Sequence, residues 1–134
     1  VVSVGRGTEL PFQVIGHPDF VAGSYCFTPR SMQGATKPLY MDTPCFGMNL
    51  MDYASNMKEN PAKLNLFWLI TFHQQLSGKT RFFNNFFDKL AGNAELRTQI
   101  EQGMSEEEIR ASWQPGLAKF KEIRKKYLLY EDFE

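Results

Sequence analysis

The chain has 134 residues, of which 43% are hydrophobic, 14% aromatic and 22% charged, and this balance excludes a disordered, collagen-like or disulfide-scaffold polypeptide. Fifteen basic residues offset fifteen acidic ones, so the chain lacks the net basic character that sequence-independent binding to nucleic acid or to an anionic membrane requires. The length suits one domain over 1–134, and the apolar run from Leu66 to Ile70 is far short of the roughly 20 residues that span a bilayer.

The first third is rich in Gly, Pro, Thr and β-formers, whereas 60–130 carries helical patterns. Val1 to Val4 alternates Val/Ser/Val and predicts a strand. With no initiator Met and no positively charged leader before it, this strand reads as one entered midway in a longer protein. It runs into the turn Gly5-Arg6-Gly7-Thr8. Pro11 predicts a short helix over Phe12–Ile15, stopped by Gly16 and Pro18. Ser24–Thr28, Lys37–Met41 and Cys45–Met51 read as strands. Asn60-Pro61 starts a helix to Leu76 that is apolar nearly all round and therefore expected to be buried. Phe82, Phe83, Phe86, Phe87 and Leu90 recur at helical spacing up to Gly92. Asn93 caps a helix that carries Leu96 and Ile100 and closes at Gly103. Ser105 and Glu108 form a capping box. From there Ile109, Trp113, Leu117, Phe120, Ile123 and Tyr127 make one stripe, with Pro115 expected to kink or restart the helix and the basic run 124–126 in its last turns. The class is α+β: a small mixed or antiparallel sheet in the N-terminal third with several helices packed on it.

Few residues suggest chemistry. In the turn, two glycines permit left-handed backbone or close approach to a ligand, and Arg6 between them offers a planar fork to a carboxylate or phosphate. Thr8 and Glu9 lie beside it, and a helix starting at Pro11 would add an N-terminus favourable to anions. A tight connection with a solvated Arg is the plainer alternative. His17, in a turn, and His73, on the apolar helix, accompany no nucleophile motif, so each is expected to be structural. Glu9, Asp42 and the more ambiguous Asp52 are acids that read chiefly as solvated loop residues. Phe82, Phe83, Phe86 and Phe87 suit a sugar-stacking platform, but at that spacing they suit a core better. No metal or cofactor is expected, since Cys26 and Cys45 have no His at ligand spacing. The two cysteines are compatible with one disulfide in an oxidising compartment or with free thiols, and the usual burial of isolated Cys favours the latter.

The stretch Ser3-Val4-Gly5-Arg6-Gly7-Thr8, with Pro11-Phe12 and Ile15-Gly16-x-Pro18, resembles the bacterial NamZ-type exo-β-N-acetylmuramidases, long known as a domain of unknown function. Further matches follow in order: Tyr40, Cys45-x-Gly47, Phe87-Asp88-x-Leu90-x-Gly92, Ile109, Trp113, and Phe120-x-x-x-Arg124-x-x-Tyr127-Leu128-Leu129-Tyr130. The resemblance covers nearly the whole chain. It implies secreted or periplasmic two-domain enzymes that remove terminal N-acetylmuramic acid from peptidoglycan fragments. In them a Rossmann-like N-terminal half carries the catalytic Glu and a smaller C-terminal half completes the cleft. This chain is similar to the C-terminal half alone, so no catalytic residue is expected on it, and its partners are that Rossmann-like domain and a muropeptide or related sugar. Arg6, Thr8 and Glu9 are then the expected substrate-binding residues, with Arg6 reading the lactyl carboxylate. Two alternatives are a non-catalytic module for glycan binding or domain packing, and a small complete enzyme using Glu9 and Asp42.

Overall fold

Short segments that carry β-branched and aromatic residues build a three-stranded sheet. Its strands are β1 (Val14–His17), β2 (Tyr25–Phe27) and β3 (Cys45–Asn49), all antiparallel, with β3 central in the order β1-β3-β2. The computed structural model describes residues 1–53 and 64–131, which fall in two compact units, Val1–Asn84 and Asn85–Glu134. The class is the expected α+β, with an antiparallel sheet. The strand expected over Val1–Val4 contracts to one bridge, in which Ser3 exchanges both backbone hydrogen bonds with Gly16 at 2.8 and 2.9 Å. No helix forms over Phe12–Ile15. Pro11 opens a turn, Phe12 takes a left-handed φ of 64°, and Val14 and Ile15 pair with Asn49 and Met48. Lys37–Met41 is a turn rather than a strand.

Register sorts the side chains onto two faces. Val14, Phe27 and Cys45 form a buried cluster on one, with Tyr25, Leu10 and Tyr40 against it. Ile15 and Met48 lie on the other, against Phe20, Phe72 and Leu76. The last two belong to α1 (Phe67–Leu76), whose Phe72 ring stacks on Phe20 at 4.2 Å. The expected start of this helix at Asn60-Pro61 lies outside the described residues, and Leu64–Leu66 is not helical. Nor is the helix buried all round. Only Phe72 and Leu76 are buried, and Phe67 is exposed, because one sheet face covers one side of the helix. Cys26 and Cys45 lie on opposite faces and both are free thiols. Cys45 is buried, which pushes its thiol up to about 11, with Cys26 as a smaller cause, whereas Cys26 is exposed rather than buried.

Three glycines set the sheet's closeness. Gly16 and Gly47 face each other across β1 and β3. A Cβ on Gly47 would collide with the Ile15 carbonyl and come within 2.6 Å of the Gly16 Cα, and one on Gly23 would strike the Gly47 backbone.

The second unit contains α2 (Phe87–Ala91), α3 (Glu95–Glu101) and α4 (Glu106–Arg124), followed by a 3-10 turn over Lys125–Tyr127. Helical spacing at Phe82, Phe83 and Phe86 does not produce a helix there, because only Phe87 and Leu90 lie within α2. Arg97 joins α2 to α3 by a two-pronged ion pair with Asp88, 2.9 Å on each side, which holds that carboxyl below its ordinary range. The Asn93 side chain accepts the Glu95 N–H, and the Ser105–Glu108 capping box closes both ways at 2.7 and 3.2 Å. α4 runs on through Pro115 without restarting. Its stripe does not become core. Ile109 is buried and Trp113 half-buried, but Leu117, Phe120, Ile123 and Tyr127 are exposed. Of the basic run, Arg124 ends the helix and Lys125 and Lys126 enter the 3-10 turn.

Two glycine substitutions should therefore move stability in opposite directions. Gly47→Ala should lose about 3 kcal/mol or fail to fold, because the backbone it meets cannot move aside. Gly116→Ala, inside α4 with no atom within 4 Å of the new Cβ, should gain roughly 0.5–1 kcal/mol. Urea unfolding of both variants checks the pair.

Candidate functional site

The segment between Ser3 and β1 is a loop tied at its base. The Ser3–Gly16 bridge closes one rung, and the Phe12 N–H donates to the Val4 carbonyl at 2.7 Å in the next. Inside it, Gly5 and Gly7 are left-handed, with φ of 79° and 84°. Both glycines are required. A Cβ at Gly5 would meet the Leu10 carbonyl at 2.6 Å, and one at Gly7 would meet Pro38 at 2.6 Å and the Arg30 carbonyl at 2.7 Å. The Gly7 carbonyl in turn accepts the Arg30 N–H at 2.7 Å, which docks the loop on the segment that follows β2.

Thr8 braces the turn. Its hydroxyl donates to the Gly5 carbonyl at 2.7 Å and accepts the Leu10 N–H at 3.1 Å. Arg6 projects from between the glycines and is exposed. Its guanidinium carbon lies over the Phe12 ring, 5.2 Å from the centroid. Among the described residues no carboxylate is paired with it. Arg6, Thr8 and Glu9 line one open cavity of about 370 Å³ with Phe12, Met32 and Gln33. Its far wall is a tight turn in which Met32 and Ala35 exchange backbone hydrogen bonds at 3.0 and 3.2 Å. The cavity thus holds one cation without an anion, one carboxylate and an exposed aromatic ring, an arrangement suited to a polar ligand with an acidic group and an apolar face. The anion-favouring helix N-terminus at Pro11 does not exist, so the positive charge here is that of Arg6.

The other sequence candidates lie elsewhere. Asp42, also left-handed at φ 60°, faces Arg30 at 3.6 Å and does not line the cavity with Glu9. Asp52 is exposed in the turn after β3. Phe82 and Phe83 surround His73, with ring centroids 5.4 Å away in each case, and form an internal cluster. Among the described residues no group of His, Cys, Asp or Glu could hold a metal. The residue that sequence reasoning passed over is Phe12, read as part of a helix. Its signal, an aromatic just after Pro11 in a polar turn, does not reveal a left-handed backbone.

His17 is buried at the end of β1. Its Nδ1 accepts the Asp19 N–H at 2.9 Å and its ring meets Tyr40 edge-on at 5.0 Å, so it is structural as expected. Burial lowers its pKa below the ordinary 6.5, against the opposing charge of Asp19 and with the N-terminus and Lys79 as smaller causes in the same direction as burial. The unfolded chain therefore takes up a proton at a higher pH than the folded one. The stability that neutral His17 contributes is complete above about 6.5 and is lost as pH falls through the window below it. His17→Asn should flatten that part of the stability profile, measured by urea midpoints between about pH 5 and 8. An unchanged slope would show that another group titrates there.

The family model described as exo-β-N-acetylmuramidase NamZ, C-terminal, matches residues 1–130. The peptidoglycan β-N-acetylmuramidase NamZ of Bacillus subtilis (strain 168) is 35% identical over 142 aligned residues, which cover 96% of this chain and 34% of that protein. The crystal structure of a DUF1343 family protein from Bacteroides fragilis NCTC 9343 is similar with a TM-score of 0.83 and 44% identity, over 98% of this chain and 37% of that one. The chain spans about a third of the length of the relatives it matches.

Proposed function

We propose that this chain, which belongs to the family of NamZ exo-β-N-acetylmuramidase C-terminal domains, supplies substrate-positioning groups to an exo-acting glycosidase that removes terminal N-acetylmuramic acid from peptidoglycan fragments. The observation that carries this reading is Arg6: a guanidinium without a carboxylate partner among the described residues, on a rigid glycine-flanked turn, facing a cavity of sugar size. N-Acetylmuramic acid differs from N-acetylglucosamine by its lactyl ether, whose carboxylate matches the fork of an arginine. In this reading Arg6 takes that carboxylate, Glu9 accepts from a sugar hydroxyl or the N-acetyl N–H, and Thr8 keeps the turn in the shape that presents both. The acid and base of hydrolysis lie on the Rossmann-like N-terminal half of the longer polypeptide. The chain alone binds and orients without cleaving, and the enzyme works in the periplasm or outside the cell.

A second observation supports a partner domain. Leu117, Phe120 and Ile123 lie exposed along α4 and Tyr127 in the 3-10 turn that follows it, with Phe120 and Tyr127 59% and 76% exposed. An apolar stripe of this kind marks an interaction surface. Its occupant in this reading is the remainder of the same polypeptide, given that the chain matches only 34% of its Bacillus relative. The same stripe also suits the alternative of a domain-packing module that does not touch sugar, and the following experiment separates the two.

Release of a chromophore from an aryl N-acetylmuramide should occur with the chain continued through its natural N-terminal half and not with the 134 residues alone. In the longer protein, Arg6→Ala should lower kcat/KM for the muramide by about tenfold or more, the worth of a charge-assisted bond, and leave an N-acetylglucosaminide far less affected. Equal loss on both substrates would remove Arg6 from carboxylate recognition. Activity in the short chain would put the catalytic carboxylates on it, with Glu9 and Asp42 the first to test.

A further inference from the structure

The cavity wall contains a side chain with two unfavourable properties at once. Phe12 adopts φ 64°, a region that bulky L residues rarely enter, and the residue is 63% exposed. Neither is an accident of a loose loop. The Phe12 N–H is held by the Val4 carbonyl at 2.7 Å, the Gln13 N–H by the Leu10 carbonyl at 3.1 Å, and the Leu50 N–H by the Gln13 carbonyl at 2.8 Å. Backbone strain that the surroundings over-determine in this way gathers at ligand sites. Its product here is specific, because the ring ends up beneath the Arg6 guanidinium, 5.2 Å away.

From this juxtaposition we infer that Phe12 is a positioning residue for Arg6, and that the ring–guanidinium stack sets the site's preference for sugars carrying a carboxylate over neutral ones. Arg6 has five N–H donors on a long flexible stem, and an acidic neighbour that fixed the stem would also occupy the donors. A ring face attracts the charge through its quadrupole and takes none of them as hydrogen bonds to an anion. Phe12 thus restrains Arg6 while leaving its fork open toward the cavity that both residues line. Glu9, on the same wall, adds a negative charge that disfavours a second anion, so one carboxylate is the charge this site accommodates. The inference rests on the function proposed above and adds to it the residue that makes the arginine selective.

The test compares affinity for the methyl β-glycoside of N-acetylmuramic acid with affinity for the same sugar bearing a carboxamide in place of the carboxylate. It uses the protein in its longest natural form, with Phe12→Leu, Phe12→Trp and Phe12→Gly variants. The unaltered protein should prefer the acid. Phe12→Leu and Phe12→Gly should each reduce that preference about three- to fivefold, the range of an exposed cation–π contact, and Phe12→Trp should keep it. Phe12→Gly should do so with no fall in Tm, because glycine enters the left-handed region without strain, which keeps the test sound where Phe12→Leu folds poorly. Full preference retained in the Leu and Gly variants, or equal loss on both sugars, would overturn the inference and leave the proposed function standing. No preference in the unaltered protein would overturn the proposed function, and the inference with it.

Discussion

The near contact of Gly16 and Gly47 across the first and third strands is the constraint on which the N-terminal unit depends. With no side chains between them, the two backbones approach more closely than a side chain would permit, and Gly23 closes on the same point from the loop that precedes the second strand. Gly16 also exchanges its outward hydrogen bonds with Ser3. One residue therefore joins the sheet on one side and the base of the Arg6 loop on the other. The loop is fixed at that base and again at its rim, where the Thr8 hydroxyl bonds Gly5 and Leu10 and the Gly7 carbonyl accepts the Arg30 N–H, so the cavity takes its geometry from the sheet edge and these contacts together.

This dependence explains which parts of the architecture were legible in the sequence. Signals confined to a few neighbouring residues read correctly. The strands expected over Ser24–Thr28 and Cys45–Met51 form in shorter versions, Tyr25–Phe27 and Cys45–Asn49, Asn93 lies one residue before the helix N-cap Ala94, and Ser105 with Glu108 closes a capping box. Signals that depend on what lies opposite did not. Pro11 suits a helix start as well as a turn, and the pairing of Val14 and Ile15 with the third strand decides between them. The phenylalanines at 82 and 83 have helical spacing but spend it on ring contacts with each other and with His73. The stripe from Leu117 to Tyr127 has the pattern of a core and the exposure of a surface, which a one-dimensional pattern cannot distinguish.

The candidate site was legible in its charge and illegible in its support. Two glycines around an arginine are a visible request for unusual backbone, and Gly5 and Gly7 are both left-handed. Phe12 makes the same demand on the backbone without glycine's chemical signature. The side chain gives no clue to the sign of φ, which is fixed by hydrogen bonds to Val4 and, through Gln13, to Leu10 and Leu50. Thr8 illustrates the converse. It was expected among the substrate-binding residues, and the structure commits its hydroxyl hydrogen to the Gly5 carbonyl. The resemblance to the muramidase family did not rest on any of these geometries. It rested on the order of short matches along the chain, and the family match over residues 1–130 agrees with it.

The two cysteines, on opposite faces of a single sheet, give the N-terminal unit an internal reporter. Vectors that point apart cannot be bridged, so these two thiols do not pair within the sheet. An electrophile in solution meets Cys26 at once. It meets Cys45 only when the strands part, since that thiol is buried between Val14 and Phe27 and resists ionisation. The rate at which the second thiol reacts is then a clock for the opening of the sheet that anchors the Arg6 loop, timed by the protein's own atoms and needing no added probe in the site.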